Sequence, residues 1–287
     1  MSEANSPNSV SEANTPTSMS EANSPNSMSA TNAQSRSAHA LSTLARITVV
    51  FRREFRSYFQ TPLAAVFLVI FLFLAGLFAF NIGGFYERNQ ADLRPFFQFH
   101  PWLYVFLVPA VSMRLWAEER RTGTIELIMT LPFGAADLVI GKFLAAWAFT
   151  TVALSLTFPM WITVSWLGNP DHGTIFVAYL ASALLAGAFL AVGAFLSALT
   201  KNQVIAFVLC AVACFVLLLA GFPAVLDFIR GWAPRGAVEG LASTSALTHY
   251  ESMMRGVIDL RDVLYFVLVM AAFLVLNVFA IDWKKSD

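Results

Sequence analysis

WAEERRTGTIELIMTLP (residues 116–132) sets Glu118, Glu119, Arg120 and Arg121 side by side between two long apolar runs. At the centre of a membrane helix each such charge costs roughly 2.5–3.5 kcal/mol, against a gain of about 0.3–0.6 kcal/mol per Leu, Ile or Phe. No neighbouring run offsets four of them. The chain therefore leaves the membrane here, and the runs on either side are separate spans. The charge then fades quickly. Gly123 breaks the helix and Thr124 follows the break. Ile125, Leu127, Ile128, Met129 and Leu131 cover a broad apolar arc, and Pro132 ends it. Glu119, Glu126 and Thr130, at spacings of seven and eleven from the first, line one narrow polar stripe if the helix is continuous. A plain loop whose arginines obey the positive-inside rule accounts for the charge. It does not account for the apolar arc.

The rest of the chain fits a membrane protein. It is 57% hydrophobic and 13% charged, against about 45–50% and about 25% in soluble domains. Apolar runs near the ~20 residues needed to cross a bilayer occur at 62–82, 99–117, 138–167, 174–199, 204–222 and 263–281. Backbone polar groups in lipid must be satisfied within the segment, so these are helices. No ten-residue stretch alternates at period two, which leaves no support for a barrel. The expected fold is all-α, integral to the membrane, with six transmembrane helices. The long link between the fifth and sixth opens with PAVLDFIRGW, which is still apolar and reads as a short hairpin dipping back into the membrane.

Residues 1–43 are different material. MSEANSPNS, VSEANTPTS and MSEANSPNS follow one another as repeats rich in Ser, Asn and Pro. Such a segment buries too little to offset its ordering entropy, so it reads as a disordered tail with no assigned role. Over 44–61, Leu44, Ile47, Phe51, Phe55, Tyr58 and Phe59 recur at helical spacing with Arg46, Arg52, Arg53 and Arg56 between them. This is the pattern of an amphipathic helix in the membrane interface. The six-span domain then occupies 62–287. With the N-terminus inside, twelve Lys and Arg fall on the inner side and six on the outer side. The bias places both termini in the cytoplasm.

Catalytic signals are missing from the sequence. There is no G-x-x-x-x-G-K-[ST] phosphate loop, no Gly-x-Ser-x-Gly and no His-Glu-x-x-His. The four histidines are scattered, so no metal site is expected, and nothing points to nucleic acid. Cys210 and Cys214 lie one turn apart in an apolar run and read as small packing residues. Lys142 stands about one turn into the third span and reads as a side chain that snorkels to the cytoplasmic face. Asn277 reads as a helix–helix hydrogen bond. Ala183, Ala186, Gly187, Ala188, Ala191, Gly193 and Ala194 make the fourth span an interior helix, because small residues permit close contact in lipid.

EERRTGTIELIMTLP resembles the cytoplasmic loop signature of type-2 ABC export permeases. Glu118, Glu119, Gly123, Thr124, Glu126, Leu127 and Pro132 match it position by position. LTHYESMMRGVIDLRDVLYF (residues 247–266) resembles the stretch before the last span in the branch that includes gliding-motility and nitrous-oxide-reductase maturation permeases. The resemblance covers about 44–287. It implies a coupling helix in the loop after the second span, with Ile125, Ile128 and Leu131 among its residues, docked in a cleft of a separate ATPase subunit. That ATPase would bind the ATP and Mg, and this chain would hold no cofactor and catalyse nothing. The resemblance further implies a dimer with a second copy or a related permease, and a place in a bacterial inner membrane. His249, Glu251, Arg255, Gly256 and Asp259 then belong to an extracellular gate. An accessory envelope protein and membrane lipid complete the expected partners. The substrate is not legible. Two other readings stay open at this point: a secondary transporter or channel without an ATPase, and a scaffold that relays ATPase motion to an envelope partner.

Overall fold

The computed structural model describes residues 25–85, 87, 90–125, 134–231 and 234–283. Among these, helices form every regular element. The chain divides into two units, Met1–Ala45 and Arg46–Asp287.

Helix α1 runs Pro25–Gln60. It starts inside the segment read from sequence as a tail. After Pro25 no Pro or Gly interrupts the chain until Pro62, so nothing stops a helix that starts there. Residues 1–24 of the repeat tail lie outside the described residues. From Arg46 onward one face of α1 is committed to packing. Val50 is buried, and Tyr58 stacks on Phe149 at 4.9 Å between ring centroids.

Helix α2 (Pro62–Leu77) runs on into a π-helical turn, Phe78–Ile82. The second span is built from α3 (Arg94–Phe97), α4 (His100–Ser112) and α5 (Ala117–Thr122). The third comprises α6 (Ala135–Ser155) and α7 (Phe158–Leu167), interrupted where Pro159 removes a backbone donor. Helix α8 (His172–Leu199) is unbroken. Its start is capped by Asp171, whose Oδ1 accepts from Gly173 N at 2.9 Å and whose Oδ2 accepts from Thr174 Oγ1 at 2.8 Å. The bonds from Thr174 and Gly173 hold the Asp171 carboxyl below the usual carboxylate range. Helix α9 (Gln203–Leu219) bends by 69° into α10 (Pro223–Arg230). Helices α11 (Arg235–Thr244) and α12 (Ala246–Met253) lead to the last helix, α13 (Leu260–Trp283).

Five helices are long and apolar enough to cross a membrane, and the count is six if the bent α9–α10 pair forms one span. The six expected from sequence thus become five to six. The difference lies in α9, which stops at Leu219 after 17 residues and bends before Pro223.

Helix α8 is the central post, 78% buried over its apolar window against 22% for the first and last spans. The small residues are the reason. A Cβ at Gly193 would lie 2.1 Å from Ser112 Oγ on α4 and 2.7 Å from Cys210 Sγ on α9. One at Gly187 would lie 2.7 Å from Met270 Sδ on α13 and 2.9 Å from Trp147 Nε1 on α6. Four neighbours therefore approach the α8 backbone at two glycines. Trp147 Nε1 uses that approach to donate to the Ala183 carbonyl at 2.8 Å. The reading of α8 as an interior helix holds. Cys210 and Cys214 are free, buried and packed, as their small size suggested. The expected Asn277 hydrogen bond is not formed. Asn277 is buried, and among the described residues neither atom of its amide has a partner.

Candidate functional site

Chemistry gathers at the two ends of α8. At the Leu199 end, Ser197 fixes the start of α5. Its Oγ accepts from the Trp116 and Ala117 backbone N–H groups at 3.2 and 3.0 Å and donates to the Met113 carbonyl at 3.0 Å. Arg120 donates to the Ala198 carbonyl. The exit of the second span is thus keyed to the end of the central post.

Lys142 is the hub of this end. It is 3% exposed, so the snorkelling expected from sequence is corrected. Its Nζ lies 2.7 Å from Glu119 Oε1 on α5 and 3.2 Å from Glu54 Oε1 on α1, with Trp116 at 5.3 Å to its ring centroid. The long side chain does not reach for water because α1 and α5 close over it and bring carboxylates to it. A single cation from α6 therefore ties together three helices. Arg46 adds a second link between α1 and α6, with Nε 2.6 Å from Asp137 Oδ2. A cavity of about 370 Å³ opens beside the hub, with Arg53, Ser57, Arg114 and Glu118 in its wall.

The coupling residues expected from sequence separate into three groups. Glu119 is in the hub. Glu118 is half-exposed and pairs with Arg114 at 2.7 Å, a contact worth little by itself. Gly123 ends α5 in the left-handed conformation at φ 74°, which favours glycine. Thr124 Oγ1 reaches the Glu119 carbonyl at 3.4 Å, and Ile125 packs against the core. Glu126, Leu127, Ile128, Leu131 and Pro132 lie outside the described residues.

At the His172 end, α12 packs against α8 and reaches α3. Tyr250 is fully buried. Its hydroxyl donates to the Phe97 carbonyl at 2.8 Å and lies 3.1 Å from Ser182 Oγ. Burial raises the phenol well above the ordinary tyrosine range, so it stays a donor. Tyr250→Phe removes the hydroxyl donor from the buried Phe97 carbonyl. The expected cost is about 1–3 kcal/mol, read as a lower thermal midpoint of the solubilised chain. An unchanged midpoint would remove this contact from the account.

Of the expected gate residues, His249 is buried. Its Nδ1 lies 2.7 Å from Asp262 Oδ1 and its Nε2 lies 2.9 Å from the Ser243 carbonyl. Its ring stacks on Tyr265 at 4.0 Å, and Tyr265 donates to the Thr244 carbonyl at 2.6 Å. Gly256 has φ 84°, and a Cβ there would sit 2.3 Å from Thr174 Oγ1, so the link into α13 presses directly on α8. Asp259 Oδ1 accepts from Arg261 N at 3.0 Å. Glu251 and Arg255 are exposed. The structure thus joins His249 to Asp262 and separates it from Glu251. Glu54 and Tyr250 were not singled out from sequence as site residues. Each acts through a partner far along the chain, as in Glu54–Lys142 or Tyr250–Phe97, and no local pattern announces that.

A bundle of five to six membrane-length helices with a charged helix keyed to one end defines a multi-pass helical membrane protein. The chain belongs to the ABC-2 transporter family: the family model described as ABC-2 family transporter protein matches residues 2–280. No curated protein matches it. Membership makes this chain a permease component of an ABC transporter, a membrane transport subunit rather than an enzyme. In general such a component works with an ABC ATPase.

Proposed function

We propose that this chain is the export permease of an ATP-driven system. It is energised by a separate ATPase that docks on a coupling helix at 123–131, and it works as a pair with a second copy or a related permease. The observation that carries the reading is the Glu54–Lys142–Glu119 hub. It lies just before the proposed docking segment and ties α5 to α1 and α6. A push on that segment reaches three helices through one buried cation, and reaches the central post through Ser197 and Arg120. In this reading both termini face the cytoplasm of a bacterial inner membrane, and the His172 end faces outward. ATP and Mg bind the partner. The branch with gliding-motility and nitrous-oxide-reductase maturation permeases fits the tail at 247–266, and an accessory envelope protein belongs to the same proposal.

Glu126→Lys tests the docking. The expected result is loss of ATPase co-purification, or ATPase activity that no longer responds to the permease, with an unchanged thermal midpoint of the permease alone. Full pull-down together with full stimulation would remove Glu126 from the interface. Transport driven by an ion gradient in vesicles lacking any ATPase would instead favour a secondary transporter.

A further inference from the structure

The His172 end holds two adjoining cavities, of about 280 and 200 Å³, with Arg94, Met254 and Arg255 in the wall of both. Both arginines are exposed, and among the described residues neither guanidinium has an ion-pair or hydrogen-bond partner. Two carboxylates also line the cavities, and among the described residues neither forms an ion pair with either arginine. Asp92 lines the larger cavity, but its Oδ1 accepts from the Arg94 backbone N–H at 2.9 Å. Glu251 lines the smaller one. The inner wall is different in kind: Phe97, Ile175, Ala178 and Met254 make it apolar, and all four are buried.

Two unpaired guanidiniums beside one cleft repel each other and each presents a planar fork of donors. An oxyanion with several oxygens satisfies both, and phosphate suits that geometry. The apolar wall adds a requirement that a free anion does not meet. Position supplies the third constraint. Arg94 opens the second candidate span and Thr174 lies in the first turn of α8, so the cleft sits at the ends of two membrane-length helices, where apolar helices meet polar loops. Gly256, next to Arg255, has a positive φ and runs so close to Thr174 that a Cβ would collide with it.

We propose that this cleft binds the phosphate of an anionic phospholipid, with the guanidiniums of Arg94 and Arg255 on the phosphate and the first part of the acyl-glycerol against Phe97, Ile175 and Met254. Its assignment to the outer leaflet rests on the orientation proposed above; the binding itself does not.

The test uses the full-length solubilised chain, without ATPase, titrated with dioctanoyl-phosphatidylglycerol, dioctanoylglycerol or inorganic phosphate. Expected is saturable binding of the phospholipid, weakened about ten-fold or more in Arg94→Gln/Arg255→Gln. Arg230→Gln, which alters an exposed arginine already paired with Asp227 at 2.9 Å, should bind like the parent. Arg94→Lys/Arg255→Lys keeps the charge without the fork and should fall between, which preserves the readout if the glutamine pair folds poorly. Equal phospholipid binding by parent and glutamine pair overturns the proposal, as does equal binding of dioctanoylglycerol. Inorganic phosphate binding as tightly as the phospholipid, with the same arginine dependence, overturns the lipid and makes this a soluble-anion site. A failed ATPase pull-down leaves all these outcomes readable.

Discussion

Lys142→Met is expected to cost about 3–5 kcal/mol of stability, the range for removing one partner of a buried charge pair. The change leaves the carboxylates of Glu54 and Glu119 facing one site with no cation between them. Among the described residues Glu119 already has one oxygen, Oε2, buried without a partner, so little remains to absorb the second charge. The thermal midpoint of the solubilised chain should drop steeply. A rescue separates electrostatics from packing. Lys142→Met combined with Glu54→Gln and Glu119→Gln carries no stranded charge and should regain much of the loss, because buried ion pairs contribute little over a neutral replacement of similar volume. The rescued chain should still respond poorly to the ATPase, since the links between α5, α1 and α6 are gone. A single variant as stable as the parent, or a triple variant no better than the single, would contradict the hub.

Gly193→Val is the second large effect, expected to lower stability by about 1–3 kcal/mol or more. A Cβ at this position falls 2.1 Å from Ser112 Oγ and 2.5 Å from Ser112 Cβ. Neither can be avoided by turning the end of a long side chain. α4 or α9 must move away from α8, and dispersion contacts along both interfaces are lost with it. The informative control is Gly76→Ala in α2, where nothing lies within 4 Å of the new methyl. There the better helix former should leave the midpoint unchanged or raise it slightly. The same midpoint for both variants would show that α8 is not packed on its glycines.

Some of this was written locally in the sequence. Four adjacent charges marked the end of the second apolar run. Runs of about 20 apolar residues forced helices. The glycine and alanine stripe announced the interior helix. Gly123 announced the end of α5. These features depend on the cost of a residue in its immediate surroundings, which is the same wherever the segment lies in the fold. The break before Pro223 is local too, and it reads from sequence as the end of the fifth span; the 69° bend itself does not show there, since composition does not register a change of direction.

The pairings were not legible. Lys142 alone in an apolar run looks like a side chain that must escape to water, and only the approach of Glu54 and Glu119 from two other helices makes burial tolerable. His249 and Glu251 look like neighbours in one gate, but the turn of α12 buries the first against Asp262 and exposes the second. Arg94 and Arg255 are 161 positions apart and share a cleft because α3 and the link after α12 meet at the start of α8. By itself the sequence determined which segments are apolar enough for a bilayer to hold, because that is a sum over each segment's own residues. Only the tertiary structure decided which charges meet, because an electrostatic interaction depends on separation in space and on how much water lies between.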